Sequence, residues 1–315
     1  MSEKIFIGID TSNYTSSFAF CNENGQILEN YKILLPVKDG ENGLRQSDAV
    51  FFHIKNFQYI AELIKEKAQM YNVVAIGYSA YPRDCEGSYM PCFLVGQTIA
   101  QMLSAILGVK AYPFSHQAGH IKAAVYSSGA READNFLAFH VSGGTTEILN
   151  VSTFNKEYKI DLIGSSVDLH AGQAIDRIGV VMGLKFPCGK EMEKLASSNS
   201  KKIPKSRICV NNYNCNLSGL ENLSKKIYNE TNDKSLTSAF VFDFIGRTIV
   251  KLSMNLRNEY PTHKIIYAGG VMSTSIIKEK IHSAITDVYF AKPEFSTDNA
   301  TGIALLTYEK HNLRG

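Results

Sequence analysis

The sequence predicts an α/β fold made of two similar lobes, each built on a mostly buried sheet. Predicted helices alternate with short apolar strands along the chain, which is the pattern of sheets covered by helices. In addition, one unit occurs twice. A strand, a tight turn of small residues and a second strand begin at Lys4 and again at Phe136. The repeat indicates two related lobes, residues 1–130 and 131–315, with the boundary near residues 127–134.

The first lobe begins with three predicted strands, at residues 4–10, 17–21 and 27–35. Residues 56–71 carry apolar side chains at helical spacing and predict a helix. A buried strand at 73–79, a helix at 91–107 and a helix around two histidines complete this lobe.

The second lobe repeats the pattern. Strands are predicted at 136–141, 147–151, 159–164, 265–268 and 288–290, and helices at 171–182, 235–260, 274–285 and 299–311. The sequence leaves open whether the last helix packs back on the first lobe.

Composition limits the class of protein. The chain has 315 residues, of which 44% are hydrophobic and 20% charged, an ordinary globular balance. A net charge of +3 is too small to indicate nucleic-acid binding, so any RNA contact needs a local patch, and the best candidate is the basic run at residues 201–207. The six cysteines form no C-x-x-C pair, and no signal-like or membrane-length apolar segment occurs, which predicts a cytoplasmic protein with no membrane association.

Two histidines predict a metal site. His116 and His120 are four residues apart, so a helix places both imidazoles on one face, where they can bind one ion. A zinc peptidase of the His-Glu-x-x-His type has its general base directly after the first histidine. Gln117 occupies that position here, so the pair predicts metal binding without the base of a peptidase.

Three further features suggest ligand binding. Gly143 and Gly144, between Ser142 and Thr145, can adopt positive φ and let backbone N–H groups approach a phosphate, although a plain hairpin turn is the alternative. Gly269 and Gly270 follow a strand and precede a helix, where an anion or a nucleoside can approach. Asp10 ends the first strand, where it either binds a metal-phosphate or orients water, or else caps the turn.

Together these features form the layout of the actin-like and sugar-kinase-like ATPases. Those proteins have two ribonuclease-H-like lobes around a nucleotide-binding cleft. The fold prediction therefore becomes this architecture, with ATP or an acyl-adenylate as the ligand.

Within this superfamily the chain resembles the tRNA threonylcarbamoyladenosine transferases, once classed as sialoglycoprotein endopeptidases. The resemblance extends over nearly the whole chain. The matching motifs occur in the family's order, at residues 9–12, 115–120, 140–144, 168–176, 186–189, 217–220, 268–271 and 297–300.

The resemblance implies the residues of a site. It implies one divalent metal, Fe²⁺ or Zn²⁺, held by His116, His120 and Asp298, and it joins Asp298 to the histidines where spacing alone does not. The residues implied to hold the adenylate are His140, Val141, Ser142, Gly143, Gly144, Asp176 and Gly189, with Gly269, Gly270 and Thr274 at the nucleoside positions.

His140 has two interpretations. It shares a strand face with Ser142 and so offers a third imidazole to the metal. The alternative is a histidine that is hydrogen-bonded without metal.

The chain also departs from the family pattern. Asn13-Tyr14-Thr15-Ser16 replaces the family's Cys-Asp-Glu-Thr, so two acids are missing and Asp10 is the nearest surviving candidate for a catalytic base. Thr145 replaces a histidine and Thr274 an asparagine. The Gly-Pro-Gly loop of the first lobe is rebuilt as a longer, charged segment at residues 82–91.

Three functions follow in order of preference. The first is transfer of a threonylcarbamoyl group to the exocyclic amine of a tRNA adenosine next to the anticodon, with tRNA as substrate and proteins of the same pathway as possible partners. The second is a non-catalytic ATP- and metal-binding paralogue that acts through a partner protein. A metallopeptidase is the least favoured, because Gln117 stands at the position of the base.

Overall fold

The structure is a computed structural model that describes residues 3–37, 44–130, 134–155 and 157–313. It divides into two compact units. The first consists of Met1–Tyr126, Thr153–Lys159 and Thr297–Gly315, and the second of Ser127–Ser152 and Ile160–Ser296. The sequence predicts the boundary between the lobes near residues 127–134. Within this segment, residues 131–133 lie outside the described residues.

The first unit contains a five-stranded sheet with strand order β3-β2-β1-β4-β5. The strands are β1 (Glu3–Thr11), β2 (Thr15–Asn22), β3 (Ile27–Leu34), β4 (Tyr71–Tyr81) and β5 (Lys110–Ser115). The helices are α1 (Gln46–Ala68), α2 (Phe93–Leu107), α3 (His116–Ser128) and, from the end of the chain, α9 (Thr301–Asn312). Strands β1, β2 and β3 form an antiparallel meander, while β4 and β5 pair parallel.

Alternate residues of β1 enter two hydrophobic clusters. Ile5, Ile7 and Ile9 pack with Ile60 of α1, and Phe6 belongs to the cluster that contains Ala304 of α9. The helix α9 approaches β1 very closely. A Cβ on Gly8 would lie 2.4 Å from both the carbonyl oxygen of Ala300 and the backbone nitrogen of Ala304. Only glycine permits this approach, and it fixes the segment that precedes α9.

The second unit repeats the sheet, with strand order β12-β11-β6-β7-β8. Its strands are β6 (Asn135–Val141), β7 (Thr146–Phe154), β8 (Glu157–Ser165), β11 (Lys264–Ala268) and β12 (Val288–Phe290), and a small hairpin adds β9 (Cys209–Asn211) and β10 (Asn214–Asn216). The helices are α4 (Ala171–Val181), α5 (Gly189–Ser197), α6 (Ser218–Thr231), α7 (Lys234–Glu259) and α8 (Ser275–His282). The helix α7 is buried along most of its length in the core of this unit.

Each unit therefore has three consecutive strands at one side of its sheet and two parallel strands at the other. This arrangement confirms the predicted α/β fold with two related sheets. Among the described residues, none of the helices combines the length and the apolar content that crossing a bilayer requires.

The structure also corrects several element predictions. The helix expected at 56–71 begins earlier, at Gln46. Its first turns were missed because exposed Phe51 and Ile54 obscure the amphipathic pattern. The strand β5 was not predicted. It contains Pro113 and lies at the edge of the sheet, where proline is tolerated. The short and largely polar helices α5 and α6 were also missed.

Candidate metal centre and nucleotide loops

The two histidines lie in the first turns of α3, directly after the edge strand β5. The Ser115 hydroxyl accepts a hydrogen bond from the Ala118 amide at 3.0 Å, which caps the helix, and it donates to Asp84 Oδ2 at 2.5 Å. In addition, the backbone N–H of Gln117 donates to the Pro82 carbonyl at 3.0 Å. The rebuilt charged segment at residues 82–91 is therefore attached to the first turn of the histidine helix.

The structure brings together the three metal ligands that the sequence predicts. His116 Nε2 and His120 Nε2 are 3.0 Å apart, and His120 Nε2 is 3.1 Å and His116 Nε2 3.7 Å from Asp298 Oδ1. Ligand atoms about 2 Å from one tetrahedral ion are about 3.3 Å from each other. Two imidazoles and a carboxylate in this arrangement are chemically and sterically suited to one divalent ion.

Two glycines explain how Asp298 reaches the histidines. A Cβ on Gly302, in the first turn of α9, would lie 1.8 Å from the carbonyl oxygen of Gly119, and a Cβ on Gly119 would lie 2.8 Å from Ile303 Cδ1. The helices α3 and α9 are thus in backbone contact at the glycine between the two histidines. Farther along the same pair of helices, Lys122 Nζ and Glu309 Oε1 form a largely buried ion pair of 2.5 Å.

Asp10 contacts His116, one of the three predicted metal ligands. This buried carboxylate at the end of β1 accepts hydrogen bonds on Oδ1 from His116 Nδ1, at 2.9 Å, and from the Ser79 hydroxyl. The proton on Nδ1 leaves the lone pair of Nε2 facing His120 and Asp298. Asp10 Oδ2 is buried and has no hydrogen-bond partner among the described residues, so this oxygen needs a partner that those residues do not supply.

A second network supports Asp298. The Ser12 hydroxyl donates to Asp298 Oδ2, and His53 Nε2 donates to the Ser12 carbonyl at 2.8 Å. His53 Nδ1 accepts from the Ser16 hydroxyl at 2.7 Å. Burial lowers the pKa of His53, so the neutral ring holds one fixed tautomer. Sequence reasoning missed His53 and Ser79, which belong to no local motif, and it gave Ser12 no role although Ser12 lies in the motif at residues 9–12.

The charges of the centre are strongly coupled. Burial opposes the charged form of His116, but the carboxylates of Asp10 and Asp298 outweigh burial and raise its pKa to about 9. Burial likewise favours the neutral form of Asp298, but the hydrogen bond from His120 and the charges of both histidines hold its pKa well below the usual range. A cation in this centre therefore replaces a proton that the two carboxylates already attract.

The second unit carries the predicted phosphate turn between β6 and β7. Ser142 N donates to the Thr145 carbonyl at 2.9 Å, and the two hydroxyl oxygens are 2.7 Å apart. Gly143 and Gly144 do not adopt the positive φ that glycine permits. Because four residues connect paired Val141 and Thr146, the turn does not need the left-handed conformation of a two-residue hairpin.

Neither the backbone conformation nor the packing of the protein requires glycine at positions 143 and 144. A Cβ added to Gly143 or Gly144 would meet no atom of the protein within 4 Å. From the other side, a Cβ on Gly172 of α4 would lie 2.6 Å from Gly143 Cα, and the Gly172 amide donates to the Ser142 carbonyl at 3.1 Å. The first turn of α4 thus supports the loop, and Gly143 and Gly144 of the loop face open space.

The later loops differ from one another. Gly269 has φ +100°, and a Cβ there would lie 2.2 Å from the Val141 carbonyl oxygen, whereas a Cβ on Gly270 would meet open space. Thr274 precedes α8 and donates to the Val271 carbonyl at 3.0 Å. These contacts attach the strand-to-helix turn to the end of β6.

Asp176, on α4, contacts the residue before the start of α5, and Gly189 is the first residue of α5. Asp176 Oδ1 accepts from the Cys188 amide at 2.8 Å, and burial raises the pKa of Asp176. A Cβ on Gly189, the first residue of α5, would meet open space. His140 lies on β6, paired with Glu147 of β7 and Ala268 of β11, and its role as a third imidazole stays a prediction.

Comparison with known proteins decides the family. The sequence model of one family, TsaD, tRNA N6-adenosine threonylcarbamoyltransferase, matches residues 48–305. The chain belongs to the TsaD family. Curated relatives with the same name are 28% identical in Streptococcus suis, over 100% of this chain and 96% of the relative, and 25% identical in Thermotoga neapolitana, over 96% and 93%.

Solved structures share the fold of this TsaD-family chain at low identity. Full-length HypF in its phosphate- and nucleotide-bound form has a TM-score of 0.61 at 13% identity and covers 100% of this chain, which spans 47% of that protein. HypF of T. kodakarensis has a TM-score of 0.64 at 12% identity, with 99% and 48% coverage. A ROK-family glucokinase from Streptomyces griseus, in complex with glucose and AMPPNP, has a TM-score of 0.52 at 12% identity, with 95% and 98% coverage. The neighbours confirm the actin-like ATPase fold, and family membership supports a transferase that acts on tRNA.

Proposed function

We propose that this TsaD-family chain transfers a threonylcarbamoyl group from threonylcarbamoyl-adenylate to N6 of a tRNA adenosine next to the anticodon. The N6 nitrogen forms a bond to the carbamoyl carbon, the bond from that carbon to the phosphate oxygen breaks, and AMP leaves. The amine loses one proton in the same reaction. The chain must therefore hold an anionic donor, polarise a carbonyl and accept a proton.

The observation that supports this proposal most is the convergence of His116, His120 and Asp298. Their ligand atoms lie within 4.8 Å of one another. We assign them to one divalent metal, Fe²⁺ or Zn²⁺, since imidazole and carboxylate suit either ion. When bound, the ion polarises the carbonyl and offsets the negative charge of the donor.

We assign the adenylate to the loops of the second unit. Hydroxyls of Ser142 and Thr145 and the backbone at Gly143 and Gly144 hold the phosphate, and the open space above both glycines supports this role. Gly189, Gly270 and Thr274 hold the nucleoside. Asp176 orders this region through the start of α5.

The proton acceptor needs a separate assignment, because Asn13 and Tyr14 stand where the family has acids. Asp10 positions His116 through Oδ1, and its unpartnered Oδ2 is the remaining basic atom that we assign to the amine proton. The rate of transfer should therefore depend strongly on Asp10.

The direct test incubates the metal-loaded chain with threonylcarbamoyl-adenylate and unmodified tRNA, and measures the modified nucleoside by mass spectrometry. We expect product with the wild-type chain and none with His116→Ala. The assay is repeated with the partner proteins of the pathway. If no product forms in either format, the transferase proposal fails.

A second candidate is a non-catalytic metal- and nucleotide-binding paralogue. The turn at residues 12–15 supports it, since Asn13 Oδ1 accepts from Gln46 Nε2 at 2.5 Å and the turn carries no carboxylate. The variant Asn13→Asp/Tyr14→Glu restores the acids. Transfer by this variant alone favours the second candidate, whereas transfer by the wild-type chain excludes it.

A further inference from the structure

The basic run at residues 201–207 belongs to a larger cationic surface on the second unit. Two guanidinium nitrogens of Arg247, in α7, donate to the carbonyl and hydroxyl oxygens of Ser206 at 2.8 and 2.9 Å, so the run lies against α7. Beside Arg247, a cavity of about 220 Å³ is lined by Lys251 of α7 and Lys280 of α8. We name this surface the basic face; its cations are Lys201, Lys202, Lys205, Arg207, Arg247, Lys251 and Lys280.

The basic run has a fixed position. Ile203 and Ile208 are partly buried against the core of the second unit, and the Asn199 side chain donates to the Lys201 carbonyl at 2.8 Å. Between these anchors, Lys202, Lys205 and Arg207 are exposed. An anchored loop loses less conformational entropy when its cations meet a partner than a free tail does.

The cations of the basic face exceed the carboxylates that pair with them. Asp233 pairs with Lys201 at 2.7 Å, and Asp243 serves both Arg247 and Lys280, at 2.7 and 2.9 Å. The four other cations are exposed, and none has a carboxylate within 4.0 Å in the described part of the chain: Lys202, Lys205, Arg207 and Lys251. The net charge of +3 for the whole chain hides this local excess. Repulsion among these charges is relieved by an anionic partner.

The cavity beside Arg247 is smaller than the roughly 300–1,000 Å³ of sites that bury a small molecule, whereas a polyanion needs only exposed cations within reach of its phosphates. Farther along α7 is a second cavity of about 550 Å³, which we name the amide cavity, lined by Ile163, Asn212, Tyr213, Asn214, Asn255, Asn258 and Glu259. The carboxylate of Glu259 accepts a hydrogen bond from the Tyr213 hydroxyl. Amide side chains hydrogen-bond the edges of bases, and aromatic rings contact unstacked bases of RNA. A row of amides beside unpaired cations therefore fits RNA better than a lipid surface.

From these observations we infer that the basic face binds the phosphate backbone of the tRNA, and that the amide cavity contacts bases beside it. The inference rests on the proposed function for the identity of the RNA. Each exposed cation neutralises one phosphate and releases a counterion, so the affinity of this surface for tRNA falls steeply with salt.

The test compares two triple charge reversals. Lys202→Glu/Lys205→Glu/Arg207→Glu alters the basic face, and Lys55→Glu/Lys65→Glu/Lys226→Glu changes the net charge by the same amount at exposed positions elsewhere. Affinity for unmodified tRNA transcript is measured by fluorescence anisotropy between about 50 and 200 mM salt. Circular dichroism checks that both variants fold.

We expect the basic-face variant to bind tRNA at least tenfold more weakly than the control variant. The slope of log affinity against log salt should also decrease in magnitude by about 2 to 3, which is about 0.9 for each phosphate contact. Asn258→Ala, in the amide cavity, should weaken binding and leave the slope unchanged, since it removes no phosphate contact.

Three results would overturn the inference. The first is equal loss of affinity in the two triple variants, and the second is absence of salt-dependent tRNA binding by the wild-type chain. The third is binding to phosphatidylserine vesicles, but not to tRNA, that the basic-face variant abolishes. Failure of this inference can be distinguished from failure of the proposed function. If tRNA binds through the basic face but no transfer occurs, only the proposed function is wrong. If the basic-face variant catalyses transfer and binds tRNA as tightly as the control variant does, only this inference is wrong.

Discussion

Asp10 accepts a hydrogen bond from Nδ1 of His116 across 2.9 Å, from the end of one strand to the start of a helix more than a hundred residues later. This contact determines which nitrogen of His116 faces His120 and Asp298. Carboxylates that hold a metal-bound histidine in this way fix its tautomer and raise its basicity. In the proposed metal site, Asp10 therefore acts on a bound ion through His116.

Removing the charge of Asp10 should weaken metal binding without unfolding the chain. We expect Asp10→Asn to lower zinc affinity about 10- to 100-fold, because the amide orients His116 less strongly. Affinity is measured by competition with a chromogenic chelator. Asp48→Asn, which removes an exposed carboxylate from α1, serves as the control and should bind zinc like the wild-type chain. Unchanged affinity in a folded Asp10→Asn protein would contradict this role.

Metal binding should depend on pH through His116. Its raised pKa of about 9 means that the ring is protonated at neutral pH in the metal-free chain. This charge stabilises the metal-free fold below pH 6.5, and the contribution is lost as the pH rises through 9. Metal affinity changes in the opposite sense and should rise up to tenfold per pH unit between about 7 and 9. Calorimetry in buffers of different ionisation enthalpy should detect release of about one proton per zinc; binding without proton release would refute the assignment.

The contact between α3 and α9 gives a prediction about two glycines. Gly302→Ala places its Cβ against backbone atoms of Gly119, so the helices must separate, and we expect a loss of more than about 2 kcal/mol in stability together with the metal site. Gly119→Ala should cost less, because the short contacts of its Cβ are with the side chain of Ile303, whose backbone nitrogen is 3.8 Å away. Gly219→Ala, in α6 with open space around it, should be neutral or slightly stabilising. Thermal unfolding with and without zinc measures all three, and equal melting temperatures for Gly302→Ala and Gly219→Ala would disprove the argument.

The same contacts explain how much of the centre the sequence predicted. The spacing of His116 and His120 predicts a shared helix face, because residues four apart lie about one helical turn from each other. Asp298 was joined to them only by resemblance, since the approach of α9 depends on Gly8, Gly119 and Gly302, which no local pattern connects.

Contacts beyond the local sequence also decide the glycine turns and the position of His53. Gly143 and Gly144 do not adopt the positive φ that glycine permits, because the four-residue turn does not require it. Gly269 does adopt positive φ, and a Cβ there would in addition collide with the Val141 carbonyl oxygen, so both features require glycine. The position of His53 under Ser12 depends on how α1 packs on β2, which is a tertiary contact without a sequence signal.

Asp168 should stabilise the second unit in a pH-dependent way. Burial disfavours its charge, but hydrogen bonds from the Ser218 hydroxyl and from the amides of Leu217, Leu169 and Ser218 outweigh burial and hold its pKa well below the usual range. A lowered pKa means that this stability is present above the ordinary carboxyl pKa of about 3.9 and is lost as the pH falls further. We expect Asp168→Asn to cost about 2 kcal/mol at pH 7, an estimate reduced for the exposure of the group. In urea unfolding, the difference from the wild-type chain should shrink towards pH 3; a constant difference would contradict the prediction.

The phosphate turn separates ligand binding from stability. A Cβ on Gly143 meets no protein atom and its φ is not positive, so Gly143→Ala should leave the melting temperature unchanged. The same methyl occupies the space assigned to phosphate, so affinity for AMP, measured by calorimetry, should fall at least about tenfold, a cost of about 1.4 kcal/mol. Gly172→Ala differs because its Cβ collides with the backbone of Gly143, and it should lower both affinity and melting temperature. If Gly143→Ala binds AMP as tightly as the wild-type chain, the phosphate does not lie at this turn.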